Sequence, residues 1–148
     1  MNSFHKVDLS ESVLKNLKTL GFSQMTEVQQ KSLPLILSGA DVAVQAKTGS
    51  GKTVAFGLGL VEKVDPSKKQ ATSLVLCPTR ELATQVAGEI RKLARMIENV
   101  KVLTLCGGSP MRAQIHSLEF GANILVGTPG RVLAVSYTHL TLPTTPYV

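Results

Sequence analysis

Eight consecutive residues, Ala46-Lys47-Thr48-Gly49-Ser50-Gly51-Lys52-Thr53, combine glycines, a lysine and hydroxyl side chains in an order that suits a polyphosphate. Glycine at 49 and 51 permits positive φ, so successive backbone N–H groups can face one concavity. A helix beginning directly after the loop adds the positive end of its dipole there. Lys52 then supplies an ammonium for the outer phosphates, and Thr53 a hydroxyl for Mg²⁺. Ala46 stands where the generic pattern has glycine. Without its flanking elements the segment would be only a glycine-rich turn, so the elements around it carry the argument.

Asp41 to Ala46 is a short apolar run that reads as a buried strand feeding the loop, and Lys52 to Val64 reads as a mostly apolar helix ending near Asp65-Pro66. Upstream, Val13, Leu14, Leu17 and Leu20 recur at helical spacing, with Ser10 as N-cap and Gly21 just past the end. A second helix is predicted from Thr26 to Leu37, capped by Thr26 and ended by Ser38-Gly39 despite Pro34. Downstream, the strand Ser73–Cys77 stops at Pro78 and leads into a helix with Leu82, Val86, Ile90, Leu93 and Ile97 on one face. Lys101–Cys106 is a strand ending in Gly107-Gly108, Met111–Phe120 a helix, and Asn123–Gly127 a strand ending in Thr128-Pro129-Gly130-Arg131. Alternating strands and helices predict an α/β fold with right-handed crossovers, a parallel sheet, and ligands at the carboxyl ends of its strands.

The 148 residues, 43% hydrophobic and 18% charged, are enough for one core-forming domain without disulfide staples. Cys77 and Cys106 lie 29 residues apart with no CxxC, which points to buried small apolar residues and a reducing cytoplasm. His5, His116 and His139 form no constellation. The start has no apolar run behind a basic end, and no later stretch has the 18 or more uninterrupted apolar residues of a membrane helix. A net charge of +6 favours polyanions, nucleic acid among them.

Several motifs taken together resemble the first RecA-like domain of DEAD-box ATP-dependent RNA helicases, over about residues 4 to 134. Gly21-Phe22-Ser23-Gln24-Met25-Thr26-Glu27-Val28-Gln29 is similar to that family's Q motif, and Phe4 lies 17 residues before Gly21, at the family's adenine-stacking position. The resemblance implies that Phe4, Phe22, Thr26 and Gln29 hold adenine and that residues 46–53 hold the phosphates of ATP with Mg²⁺. A side-chain amide on the N6 and N7 edge would select adenine. Pro78-Thr79-Arg80, Gly107-Gly108 and Thr128-Pro129-Gly130-Arg131 resemble the motifs that grip RNA backbone, a readout of phosphates rather than bases. Alone, the first would be a capped helix start and the last a turn. Residues 46–53, 58–60, 74–85 and 103–108 further resemble a bacterial member that acts on large-subunit ribosomal RNA, which makes ribosomal RNA the expected partner of an intact protein.

From Val135 to Val148 the helical period is lost in a Thr- and Pro-rich stretch that resembles a translated sequencing-library adaptor, so the partial domain is expected to span 1–134 and 135–148 to be a disordered tail. The family's Asp-Glu-Ala-Asp motif, its Ser-Ala-Thr motif and its second RecA-like domain are not in these residues. Phosphoryl transfer rests on positioning and charge stabilisation, so this chain alone is expected to be catalytically inactive, a fragment of an ATP-dependent RNA helicase. Two alternatives are a non-catalytic binding module for adenine nucleotide and RNA backbone, and another P-loop class in which Phe4 and Gln29 have no part. Selectivity for ATP over GTP separates the last from the first. The residues do not determine oligomeric state.

Overall fold

The computed structural model describes residues 2–139. They fall into two compact units, one comprising residues up to 67 together with 88–100, the other 68–87 together with residues from 101 onward.

The first unit is helical. After a 3-10 turn at Phe4–Lys6 come α1 (Glu11–Thr19), α2 (Glu27–Leu37) and α3 (Lys52–Glu62). Ser10 sits at the N-cap of α1, but its side chain does not close the cap. Its N–H and Oγ–H instead donate to Glu62 Oε1 at 2.8 and 3.0 Å. Gly21 stops the helix, with Phe22 N–H donating to Leu17 C=O. Thr26 closes a capping box with Gln29 at the start of α2, and Pro34 is accommodated within the helix. Val13, Leu17, Leu33, Leu58 and Val61 are almost wholly excluded from water, and α2 and α3 pack together. Buried Asn16 of α1 donates both amide hydrogens to Lys92 and Leu93 C=O (2.7 and 2.9 Å), satisfying carbonyls at the end of a later helix.

The second unit carries the sheet. Strands β1 (Ser73–Leu76), β2 (Val102–Leu105) and β3 (Ile124–Gly127) are parallel in the order β1-β3-β2, with Leu76 and Leu105 both opposite Gly127. The central strand is buried along its whole length. Leu105, Ala122, Leu125 and Val132 form a cluster against which Leu103 and Leu118 pack. Three helices complete the element order: α4 (Arg80–Leu93), α5 (Met111–Phe120) and α6 (Pro129–His139). At the amino end of the sheet, buried Asn123 accepts from Lys101 N–H and donates to Lys68 C=O, both at 2.8 Å. Thus one side chain ties three chain segments.

The α/β architecture with a parallel sheet therefore forms as its sequence pattern predicts, with three differences. The strand expected at 41–46 does not form: the segment belongs to no sheet, and Val42 and Val44 are each 40% exposed. A parallel strand exists only through hydrogen bonds to neighbours, and an apolar run cannot supply those itself. The helix expected to reach Ile97 ends at Leu93, because Ala94 and Ile97 close a turn instead. Finally, α6 continues past Ala134, where the domain was expected to end, to His139, with Val135 buried. The remaining tail, 140–148, lies outside the described residues.

Candidate functional site

The loop between Ala46 and Thr53 closes on itself. Ser50 N–H donates to Lys47 C=O at 3.2 Å, Gly49 and Gly51 stand at φ +80° and +90°, and α3 begins at Lys52. Gly51 is required twice over. Its backbone is left-handed, and a Cβ there would come within 2.5 Å of Gln29 Nε2. Lys52 Nζ donates to Ala46 C=O, folding the ammonium across the mouth of the loop. Ser50 Oγ is buried without a hydrogen-bond partner, a polar atom at the loop that a phosphate oxygen would satisfy. The cradle, the orphaned hydroxyl and the helix N-terminus fit a polyphosphate, and Thr53 follows Lys52 in the first turn of α3.

Of the residues expected around adenine, Thr26 and Gln29 lie against this loop at Gly51. Gln29 is buried and its amide is used at both ends: Oε1 accepts from Thr26 N–H at 2.9 Å, and Nε2 donates to Gly51 C=O at 3.2 Å. Phe4 is packed in the core, while Asn2 C=O in the preceding turn accepts from Met25 N–H at 2.6 Å. Phe22 lines a separate cavity of about 350 Å³ with Leu20, Val54 and Leu93. The unpaired segment forms one wall of a larger cavity, about 820 Å³, lined also by Thr26, Leu35, Lys47 and Ser50. At its rim Lys31 donates to Glu27 at 2.7 Å, which lowers the Glu27 carboxyl below its ordinary value and raises the Lys31 amine.

In the second unit, parallel register delivers the expected backbone-gripping motifs to one edge, since all three strands end there. Pro78-Thr79-Arg80 opens α4, with Thr79 Oγ1 accepting from Leu82 N–H at 3.2 Å. The Arg80 guanidinium lies over Gly107-Gly108, donating to Gly107 C=O at 3.4 Å and filling the space a side chain at 108 would need. Thr128-Pro129-Gly130-Arg131 forms the start of α6, Thr128 N–H pairing with Leu105 C=O at 3.0 Å. Arg131 donates to Ser109 C=O at 3.0 Å and to Gln114 Oε1 at 3.1 Å. Burial pushes the Cys106 thiol up from its ordinary value, while the Arg80 and Arg131 charges pull it back, so both cations act on the end of β2. Burial and the neighbouring Cys106 raise the Cys77 thiol as well.

Three polar residues with structural work were not singled out by sequence reasoning: Asn16, Asn123 and Gln114. Gln114 had a usable signal. It shares an α5 face with Leu118 four residues on, a polar group on the inward stripe.

A parallel α/β sheet with cationic loops on its carboxyl edge in one unit, and a phosphate loop opening a helix in the other, are the marks of a RecA-like domain. Residues 26–144 match the DEAD/DEAH box helicase family, and the chain belongs to that family. It is 59% identical over 125 residues to the ATP-dependent RNA helicase DbpA of Escherichia coli, covering 84% of this chain and 27% of DbpA. It is 44% identical over 133 residues to the ATP-dependent RNA helicase CshA of Listeria monocytogenes, covering 90% of this chain and 25% of CshA. The chain thus spans about a quarter of the length of these relatives. Among solved structures, a DEAD box protein of Methanococcus jannaschii superposes with a TM-score of 0.84 at 41% identity, covering 89% of this chain and 36% of that one. Dbp5 of Saccharomyces cerevisiae, solved bound to RNA and ADP BeF3, superposes with a TM-score of 0.81 at 26% identity, covering 93% and 34%. Among the described residues no helix is long and apolar enough to cross a membrane.

Proposed function

We propose that this chain is the nucleotide- and RNA-backbone-binding part of the first RecA-like domain of an ATP-dependent RNA helicase, with ribosomal RNA as substrate of the intact protein in a reducing cytoplasm. The observation that carries the nucleotide half is the loop at 46–53, where two left-handed glycines, an orphaned Ser50 hydroxyl and the N-terminus of α3 converge. Lys52 exchanges its bond to Ala46 C=O for the outer phosphates of ATP, and Thr53 holds Mg²⁺, which when bound neutralises charge on those phosphates. Gln29 gives up Gly51 C=O and turns its amide to the adenine edge. Arg80 and Arg131 hold RNA phosphates from the carboxyl edge of the sheet, which supplies affinity without base specificity. Identity with an ATP-dependent RNA helicase supports an RNA substrate.

The chain contains no Asp-Glu-Ala-Asp sequence, so these 148 residues bind without turning ATP over. Displacement of a fluorescent ATP analogue checks the reading. ATP competes, GTP competes at least about tenfold less well, and Lys52→Ala weakens binding about tenfold or more. Equal competition by GTP would remove Gln29 from the site and favour another P-loop class.

A further inference from the structure

We propose that Gln114 is a positioning residue that holds Arg131 in its phosphate-binding pose and couples it to the Gly107-Gly108 turn. The inference rests on reading this edge of the sheet as an RNA-backbone surface. Gln114 is 6% exposed in the first turn of α5. Its Nε2 donates to Cys106 C=O at 2.9 Å, and its Oε1 accepts from Arg131 at 3.1 Å. The two partners call for a side chain that can do both jobs at once. A backbone carbonyl only accepts and a guanidinium only donates, so the bridge must donate at one end and accept at the other, which a primary amide does without a charge.

The consequence concerns Arg131. Both bonds, to Gln114 and to Ser109 C=O, come from the same guanidinium nitrogen, which leaves three of its five donors for a ligand. A free arginine loses rotamer freedom when it captures a phosphate, whereas one already held by two acceptors has lost it on folding. Because Cys106 immediately precedes Gly107-Gly108, the same amide fixes that turn relative to the cation. One buried side chain thus preorganises two RNA-gripping motifs that lie 20 or more residues apart in sequence.

The test measures binding of a short fluorescent oligouridylate to the whole chain between about 50 and 200 mM salt, with thermal unfolding in parallel. Arg131→Ala should weaken binding about five- to tenfold and reduce the magnitude of the log–log salt slope by about 0.7, the value of one single-strand phosphate contact. Gln114→Leu should weaken binding about three- to tenfold with a similar slope change, and should add little when Arg131 is already alanine. Gln114→Glu, which keeps an acceptor but neutralises the guanidinium, should lower the slope in the same way and decides the matter if the leucine variant does not fold. If Arg131→Ala changes nothing, the RNA reading of this edge fails and the proposal falls with it. If Arg131→Ala acts but the Gln114 variants leave the slope intact, or weaken binding equally with and without Arg131, the positioning role alone is overturned.

Discussion

Two regions of the molecule present backbone N–H groups and cations suited to phosphate, and they are backed in opposite ways. The loops after β1, β2 and β3 leave strands that are hydrogen-bonded to one another, the central one buried throughout. The phosphate loop leaves a segment, 41–46, that has no strand beside it among the described residues and keeps two valines 40% exposed. Its shape is held by side-chain bonds instead, by Gln29 on Gly51 C=O and by Lys52 on Ala46 C=O, and by the start of α3. A binding loop can therefore be organised by a sheet behind it or by side chains bonded to its own carbonyls, and the two kinds should break under different substitutions.

The largest contrast is in the strands. Leu125→Ala, in the central strand, should cost about 2–5 kcal/mol in a urea titration, whereas Val42→Ala in the unpaired segment should stay within about 0.5 kcal/mol. Similar losses at both sites would mean that 41–46 is packed after all. Next comes Gly51→Ala, where left-handed strain and the clash with Gln29 should cost about 1–3 kcal/mol and abolish nucleotide binding while RNA binding by the second unit persists. Loss of both together would tie the loop to the sheet. Asn123→Ala leaves the Lys101 N–H and Lys68 C=O without their partner, for about 1–3 kcal/mol, while Thr26→Ala removes the capping box of α2 for about 1 kcal/mol. The reverse ranking would mean that the helix cap outweighs the sheet staple.

The smallest effect is a pH dependence confined to the sheet side. Both thiols are raised above their ordinary value of 9.0, so above that pH the unfolded chain releases thiol protons that the folded chain retains. Stability from this source is complete below pH 9.0 and declines as pH rises through the raised values. Denaturant midpoints between neutral and strongly alkaline pH should show that decline in the wild type and a shallower one in Cys77→Ala, and identical slopes would place the effect elsewhere.

The periodic elements were legible in the residues themselves. Helical spacing marked α1 and α4, inward apolar residues and a capping threonine marked α2, short apolar runs marked β1, β2 and β3, and Thr26, Gly21 and Pro78 marked starts and stops. These are local matters of propensity, capping and period, and so was the phosphate loop, whose glycines take the backbone their positions suggested. What depended on distant partners was not legible. The order β1-β3-β2 and the failure of 41–46 to pair follow from which strands find neighbours. The continuation of α6 past Ala134 follows from the burial of Val135. The bond from Gln29 to Gly51, and the bridge from Gln114 to Cys106 and Arg131, need residues 8 to 22 positions away to be folded alongside. Sequence by itself determined which segments bend, coil and cradle, because those energies lie within a few residues. Only the tertiary structure decided which amides and cations meet, because a hydrogen bond is set by position in space rather than along the chain.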